Sequence, residues 1–397
     1  MPKKLDEKIE EVLARGVEEI IPSKEGLRKL MKKRKIRLYL GVDPTTPKIH
    51  LGHLVPLKKL KEFQELGHEV ILVFGTFTAQ IGDPSGRDEA RKPLSLEEVK
   101  DNMATYKKQV AKLLDLSKVQ IKYNGDWLSK LDFSDLIKIT SHFTVSRLLE
   151  RDMFQKRLKE KREIWINEFL YPLMQGYDSV AMDVDLEIGA SDQTFNMLVG
   201  RKLQRIFNKK EKFVLTTPLL LGLDGRKMSK TFNNTVDLTD EPGEIFGKIM
   251  SLKDDLILQY FELVTNVSLK EIEEIKKDLG SRRVSPRNLK SRLAREIATL
   301  FCNKEKALFA EKEFNKVFRD KELPFNIPEI KIEKININIM DLLVRTKLVS
   351  SKSEAKRLIL QKGVKINDIV QDDWKKELKL KKNEVIQVGK RKFARLK

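Results

Sequence analysis

Residues 36–75, IRLYLGVDPTTPKIHLGHLVPLKKLKEFQELGHEVILVFG, decide the fold. Ile36, Leu38, Leu40 and Val42 alternate with other residues, and the run stops at Asp43-Pro44-Thr45, so a strand ends there. Leu51, Leu54, Val55, Leu57, Leu60, Phe63 and Leu66 then recur mostly at steps of three and four. Lys58, Lys59, Lys61 and Glu62 fill the positions between them, and Gly67 is the stop. That spacing is helical. Val70–Phe74 is a continuous apolar run, as in a strand buried on both faces. The stretch reads as a βαβ unit.

His50 and His53 lie three apart at the start of that helix, beside backbone N–H groups that have no partner within it. Aligned peptide dipoles favour negative charge at such an end, and Gly52 lets a polyphosphate approach the backbone closely. An isolated His-x-x-His pair is more often an ordinary surface pair, so a second element must decide. It is Gly225-Arg226-Lys227-Met228-Ser229-Lys230-Thr231, after the apolar run Leu219–Leu221. Two lysines three apart among small residues form a cationic loop suited to a pyrophosphate on which charge is building. Read alone, it is also what a solvated basic turn looks like.

The chain has 397 residues, room for two or three domains and a sizeable core. Lys+Arg number 79 against 59 Asp+Glu, a net charge of +20 that points to an acidic macromolecule as partner. No apolar run approaches bilayer length, and Met1-Pro2-Lys3-Lys4 lacks the apolar stretch of a signal peptide, so a soluble, cytoplasmic protein without a membrane partner is expected. Cys302 is the single cysteine, which excludes an internal disulfide and a multi-cysteine zinc site. No acidic cluster is spaced as a metal cage, so no protein-bound metal is expected.

Around the βαβ unit the chain reads as follows. Leu5–Ile20 and Ser23–Arg34 are expected helices. Gly75–Arg87, with Gly82-Asp83-Pro84-Ser85-Gly86, is a loop at a strand's carboxyl end, where open α/β sheets bind ligands. Residues 95–162 are expected to be a mostly helical insertion offering a dimer surface. The helix Ile164–Asp178 carries Tyr171, Gln175 and Asp178 on one stripe among Phe169, Leu170, Leu173 and Met174. A strand at Val184–Ile188 leads to Ser191-Asp192-Gln193, and Phe213–Leu221 closes the sheet. The expected division is a Rossmann-like parallel-sheet domain over 1–225 and the lysine loop with an α-helical domain over 226–320. A linker over 321–337 and a small α+β module over 338–397 complete it.

His-Leu-Gly-His opening the first crossover helix, paired with the distant Lys-Met-Ser-Lys-Thr, closely resembles the motifs of class I aminoacyl-tRNA synthetases. The resemblance narrows to the tyrosyl enzymes in their bacterial form. It covers nearly the whole chain: Leu38–Thr45, Ile81–Gly86, Tyr171 with Gln175 and Asp178, Ser191–Gln193, the lysine loop and the C-terminal module. That module resembles the S4 RNA-binding domain and clusters Lys347, Lys352, Lys356, Arg357 and Lys362 on or beside its helices.

The resemblance implies an activity: L-tyrosine is activated with ATP to tyrosyl-adenylate and pyrophosphate, and the tyrosyl group passes to the 3′ end of tRNA(Tyr). It implies that Tyr39 and Asp178 grip the phenol hydroxyl. Asp83, Tyr171 and Gln175 would hold the ammonium, with Gln193 and Asp43 nearby. Thr45, His50, Gly52 and His53 would meet ATP, and Asp192 its ribose. Lys227 and Lys230, flanked by Met228 and Ser229 and helped by Arg87 and Arg91, would hold the departing pyrophosphate. Mg²⁺ would come with ATP, and the enzyme would be a homodimer. Leu40 departs from relatives with a polar side chain there. The rival readings are a tryptophanyl enzyme, which shares the fold and both motifs, an RNA-binding protein on a synthetase fold, and a small-molecule nucleotidyltransferase.

Overall fold

The computed structural model describes residues 2–86, 93–229, 232–319, 322–323, 327–331, 336–389 and 392–397. They form two compact units, 1–308 and 309–397. Unit 1 holds β1 (Glu19–Ile21), β2 (Arg37–Val42), β3 (Glu69–Phe74), β4 (Val119–Tyr123), β5 (Leu186–Ala190) and β6 (Phe213–Thr217), ordered β1-β6-β5-β2-β3-β4. β2 to β6 run parallel, and β1 pairs antiparallel with β6. From β2 the chain builds outward through β3 to β4. It then returns to the other side of β2 with β5 and β6, which puts the switch of direction between β2 and β5.

The expected βαβ unit forms as read, with a helix at Leu51–Glu65. Its Leu51, Leu54, Leu57, Leu60 and Phe63 are at most 1 % exposed against β-strand residues Leu38, Val70, Leu72, Leu186 and Ile188, also sealed from water. At roughly 1.5–3 kcal/mol for each fully buried large side chain, this face alone accounts for the helix's place in the fold. Lys59, which fills a position between the apolar residues of this helix, stands apart from its charged neighbours. It is buried rather than solvated, its Nζ donating to the Val12 and Arg15 carbonyls (both 2.7 Å) and pairing with Glu62.

Three expectations are corrected. The first helix is Pro2–Val12, and Ile20 lies in β1, because Glu19–Ile21 finds an open sheet edge at Val214–Thr216. β6 is therefore interior rather than closing. The stretch 95–162 is broken into short helices and contains β4, which pairs with β3 from Val70↔Val119 to Phe74↔Tyr123. As an edge strand with only one face covered, Val-Gln-Ile-Lys-Tyr is too short to stand out from its helical surroundings.

Helices Ile166–Met182 and Thr194–Asn208 cross at two glycines. A Cβ on Gly176 would lie 3.0 Å from the Gly200 nitrogen, so side chains there would push the helices apart. Helices Pro242–Met250, Ile257–Val264, Leu269–Gly280 and Pro286–Phe301 complete unit 1. Tyr260, on the second of these, donates its hydroxyl to the Leu221 carbonyl at 2.7 Å and so ties them to the segment after β6.

Unit 2 contains β7 (Glu329–Ile330), β8 (Asn336–Asn338), β9 (Val364–Ile366), β10 (Ile369–Gln371), β11 (Glu377–Lys379), β12 (Val385–Val388) and β13 (Lys392–Leu396). The order β10-β9-β12-β13-β7 makes one sheet, and β11 pairs with β8. Helices Ile339–Arg345 and Lys352–Leu360 bury Ile339, Leu342, Leu343, Ala355 and Ile359 with Val364, Ile386 and Ala394. The terminal hairpin β12–β13 pairs from Val385↔Arg395 to Val388↔Lys392. Of the expected linker, 321, 324–326 and 332–335 lie outside the described residues.

Candidate active site

A cavity of ≈ 950 Å³ opens at the carboxyl ends of β2 and β5, where the sheet reverses its direction of growth. Its lining includes Asp43, Thr45, His50, Gly52, His53, Asp83, Tyr171, Gln175, Asp178, Asp192, Gln193, Lys227, Met228 and Ser229. Residues scattered over almost two hundred positions thus converge on one space.

The acidic part is a connected network. Asp43, just past β2, accepts from Thr78 Oγ1 at 2.7 Å and from the Tyr171 hydroxyl at 2.9 Å. Gly75 makes room for that arrangement, since a Cβ there would sit 1.8 Å from Asp43 Oδ1 and 2.3 Å from Thr78 Oγ1. Thr78 Oγ1 accepts from Asn124 Nδ2 (2.9 Å), which also reaches Asp178 Oδ2 at 3.2 Å. Trp127 Nε1 donates to Asp178 Oδ1 at 2.8 Å. Asp178 is 3 % exposed. Burial pushes its carboxyl well above the usual range, against the pull of the Trp127 and Asn124 hydrogen bonds, while Glu187 and Asp43 add to the rise.

Asp83 accepts from Gln193 Nε2 at 2.7 Å and from the Ser85 N–H at 2.9 Å. Asn196 Nδ2 donates to Gln193 Oε1 (2.9 Å) and Gln175 Oε1 (3.1 Å), while Gln175 Nε2 donates to Glu187 Oε1 at 3.1 Å. The residues expected around an ammonium therefore share one polar wall.

Tyr39, expected at the phenol hydroxyl, sits inside the fold. It is completely buried and absent from the cavity lining, its hydroxyl lying 3.0 Å from Ser179 Oγ. Leu40 and Gly41 meet the cavity, while the Tyr39 ring packs with Ile71, Val73, Met182 and Val184.

The second part of the lining is built from a helix start and a loop. His50 is the N-cap, its Nδ1 accepting from the Gly52 N–H at 3.1 Å, and His53 Nδ1 accepts from the His50 N–H at 3.4 Å. The imidazole centroids are 4.0 Å apart. A Cβ on Gly52 would come 2.9 Å from His50 Cε1 and 3.6 Å from Met228 Sδ, so the histidine turn and the lysine loop touch across a glycine. Asn234 staples the loop: its Oδ1 accepts from the Ser229 N–H at 2.8 Å, and its Nδ2 donates to the Lys227 carbonyl at 3.2 Å and Asp224 Oδ1 at 2.8 Å. Lys227 Nζ lies 3.0 Å from Asp192 Oδ2, with its side chain 45 % exposed. Lys230, Arg87 and Arg91 lie outside the described residues.

Sequence reasoning gave no role to Asn124, Trp127, Ser179, Glu187, Asn196 or Lys212. Asn124 follows a strand that went unread, and Lys212 ends the run Lys209-Lys210-Glu211, which looks solvated. In unit 2, Lys347, Lys352, Lys356, Arg357 and Lys362 are all exposed. Lys352 pairs with Asp341 at 2.6 Å, and Lys356 Nζ stands 4.1 Å over the Trp374 ring centroid.

Residues 31–319 match the family described as tRNA synthetases class I (W and Y), and residues 320–396 match the tyrosine–tRNA ligase SYY-like C-terminal domain. The tyrosine–tRNA ligase of Carboxydothermus hydrogenoformans is 48 % identical over 397 residues, covering 97 % of each chain. That of Thermotoga maritima is 46 % identical over 386 residues, covering 97 % of this chain and 96 % of its own. Among solved structures, tyrosyl-tRNA synthetase of Archaeoglobus fulgidus complexed with L-tyrosine superposes with a TM-score of 0.63 at 25 % identity, over 77 % of this chain and 99 % of that one. The C-terminally truncated mitochondrial enzyme of Aspergillus nidulans gives 0.66 at 22 % identity, over 80 % and 99 %. With both of its units matched and its relatives covered almost end to end, the chain belongs to the tyrosine–tRNA ligases, class I synthetases that use ATP to charge tRNA with tyrosine.

Proposed function

We propose that the cavity divides that reaction between its two parts. The acidic network receives L-tyrosine, with Asp178 accepting the phenol hydroxyl and Asp83, Tyr171 and Gln175 holding the ammonium beside Gln193 and Asp43. Tyr39 backs this site from behind the wall. Thr45, His50, Gly52 and His53 meet the phosphates and ribose of ATP, which arrives as its Mg²⁺ complex, and Asp192 takes ribose hydroxyls. Lys227, Lys230 and the Met228–Ser229 backbone hold pyrophosphate, helped by Arg87 and Arg91.

The tyrosine carboxylate is already ionised, so it attacks the α-phosphorus of ATP without a protein base. A new P–O bond forms as the bond to the β-phosphate oxygen breaks. The protein's task is to align the reactants and stabilise charge on the leaving pyrophosphate. The terminal ribose hydroxyl of tRNA then attacks the carbonyl carbon and AMP leaves. Asp192 holding the Lys227 ammonium fits a loop at rest, since ATP binding gives each of them a new partner.

The observation that carries this reading is Asp178: a carboxyl 3 % exposed, on a cavity wall, with donors on both oxygens and lone pairs left for one more. A crystal structure with a non-hydrolysable tyrosyl-adenylate analogue tests it. The phenol oxygen should lie within hydrogen-bond reach of Asp178 and the α-phosphate beside His50 and His53; a phenol elsewhere removes the assignment.

The reading extends to the whole chain. Residues 1–225 form the catalytic domain and 226–320 the helical domain that carries the lysine loop. After a linker, 338–397 binds tRNA(Tyr) through its exposed cations. Phe133, Ile137, Val145 and Ile166 are 58–80 % exposed, which supports a homodimer through this region. Among the described residues no helix is long and apolar enough to cross a membrane, and the net charge suits a cytoplasmic RNA partner.

A further inference from the structure

Lys212 and Glu187 form an ion pair in which the side chains are 0 % and 2 % exposed. Glu187 lines the cavity and Lys212 stands behind it. Lys212 Nζ also donates to Ser179 Oγ at 2.8 Å, and Ser179 Oγ is 3.0 Å from the Tyr39 hydroxyl. On the other side, Glu187 Oε1 accepts from Gln175 Nε2 at 3.1 Å. The ammonium has its place because position 200 is glycine: a Cβ there would lie 2.6 Å from Lys212 Nζ and 2.8 Å from Ser179 Oγ.

Stability is a weak reason for such a pair, because well-packed apolar residues in place of a buried ion pair are often as stable or more so. Its chemistry offers a better one. An ionised carboxylate can only accept hydrogen bonds, so Glu187 dictates that Gln175 turns its NH₂ inward. The Gln175 oxygen is then the atom left for Asn196 and for a ligand that donates, as an ammonium does. A neutral amide at 187 could donate instead and let Gln175 reverse. Lys212 keeps Glu187 from adding net negative charge to a lining that already holds Asp43, Asp83 and Asp178.

We propose that Lys212 and Glu187 are positioning residues of the amino-acid pocket: Glu187, balanced by Lys212, fixes the Gln175 amide to present its oxygen to the substrate ammonium, and Lys212 holds the Tyr39 hydroxyl through Ser179. The proposal rests on the assignment of Gln175 to the ammonium made above.

Tyrosine-dependent pyrophosphate exchange tests it with Glu187→Gln, Lys212→Met, the double variant E187Q/K212M and Gln175→Ala. The double variant removes both charges, so it folds without an orphaned ion, and its thermal midpoint should stay near wild type. Its KM for tyrosine should nevertheless rise about tenfold, as should that of Glu187→Gln, the size of one misdirected hydrogen bond to a charged group, while the KM for ATP stays within about twofold. A double variant with wild-type KM for tyrosine overturns the proposal. So does a KM for ATP that rises in step, because that marks a purely structural pair. Gln175→Ala separates the two levels. If it leaves the KM for tyrosine unchanged, the ammonium assignment fails and the proposal with it; if it raises that KM while the double variant does not, the proposal alone fails.

Discussion

The two parts of the cavity are built on opposite principles. Around Asp178 the polar groups are buried or half-buried and engaged by other side chains: Asp43 with Thr78 and Tyr171, Asn124 with Thr78 and Asp178, Gln175 with Glu187 and Asn196. Around Lys227 the cation is half-exposed, rests on Asp192, and sits on a loop stapled by one asparagine. A fixed, largely buried network can reject a ligand that leaves one of its members unpaired, because water relieves little of the penalty. An exposed lysine discriminates little, but it can follow a charge that moves during reaction. On the proposed assignment, selection of the amino acid and expulsion of pyrophosphate call for different surroundings, and the two parts of the cavity differ in that way.

The sharpest way to break this comparison is Lys227→Ala. It should slow adenylate formation about 10²–10³-fold, the usual cost of losing one donor to transition-state charge, with tyrosine affinity by equilibrium binding within about twofold of wild type. A matching loss of tyrosine affinity would merge the two regions into one. Next in size, Asp178→Asn should lower the preference for tyrosine over phenylalanine in pyrophosphate exchange by about 100-fold, since a buried acceptor worth about 2–3 kcal/mol is lost for one ligand only. Gly75→Ala probes the network without replacing a charged residue. The new methyl displaces Asp43 or Thr78, and overpacking of this kind costs about 1–3 kcal/mol, read as a lowered urea midpoint together with weaker tyrosine binding.

The smallest effect should spare both regions. His68 Nδ1 accepts from the Ile36 N–H at 3.3 Å, and burial, then Lys35, holds the imidazole down to about 4. Protonation would put a hydrogen where the acceptor is needed. Between pH 6.5 and 4 the unfolded chain binds the extra proton first, so stability falls as pH drops through that window and is fully recovered above it. His68→Asn keeps an acceptor without titrating; it should flatten that slope in urea-midpoint measurements and leave the kinetic constants alone.

The βαβ unit and the histidine helix start were legible, because each is written in local periodicity and turn chemistry. The stripe of Tyr171, Gln175 and Asp178 was legible for the same reason. β1 and β4 were not: three- and five-residue strands at sheet edges take their stability from a neighbour distant in sequence. Resemblance supplied Tyr39 as a ligand contact; what only the fold shows is its burial against Ile71, Val73 and Val184.

Lys59 and Lys212 mark the boundary most clearly. In sequence each is one lysine among several charged neighbours, and nothing local separates them from solvated residues. In the fold both are buried, one capping carbonyls at the end of the first helix and the other balancing Glu187. Sequence by itself determined the fold class and, through its paired motifs, the family, since period, capping and backbone geometry are properties of neighbouring residues. Only the tertiary structure decided which charges lie inside and what each one orients, because the partner that makes burial tolerable comes from a remote part of the chain.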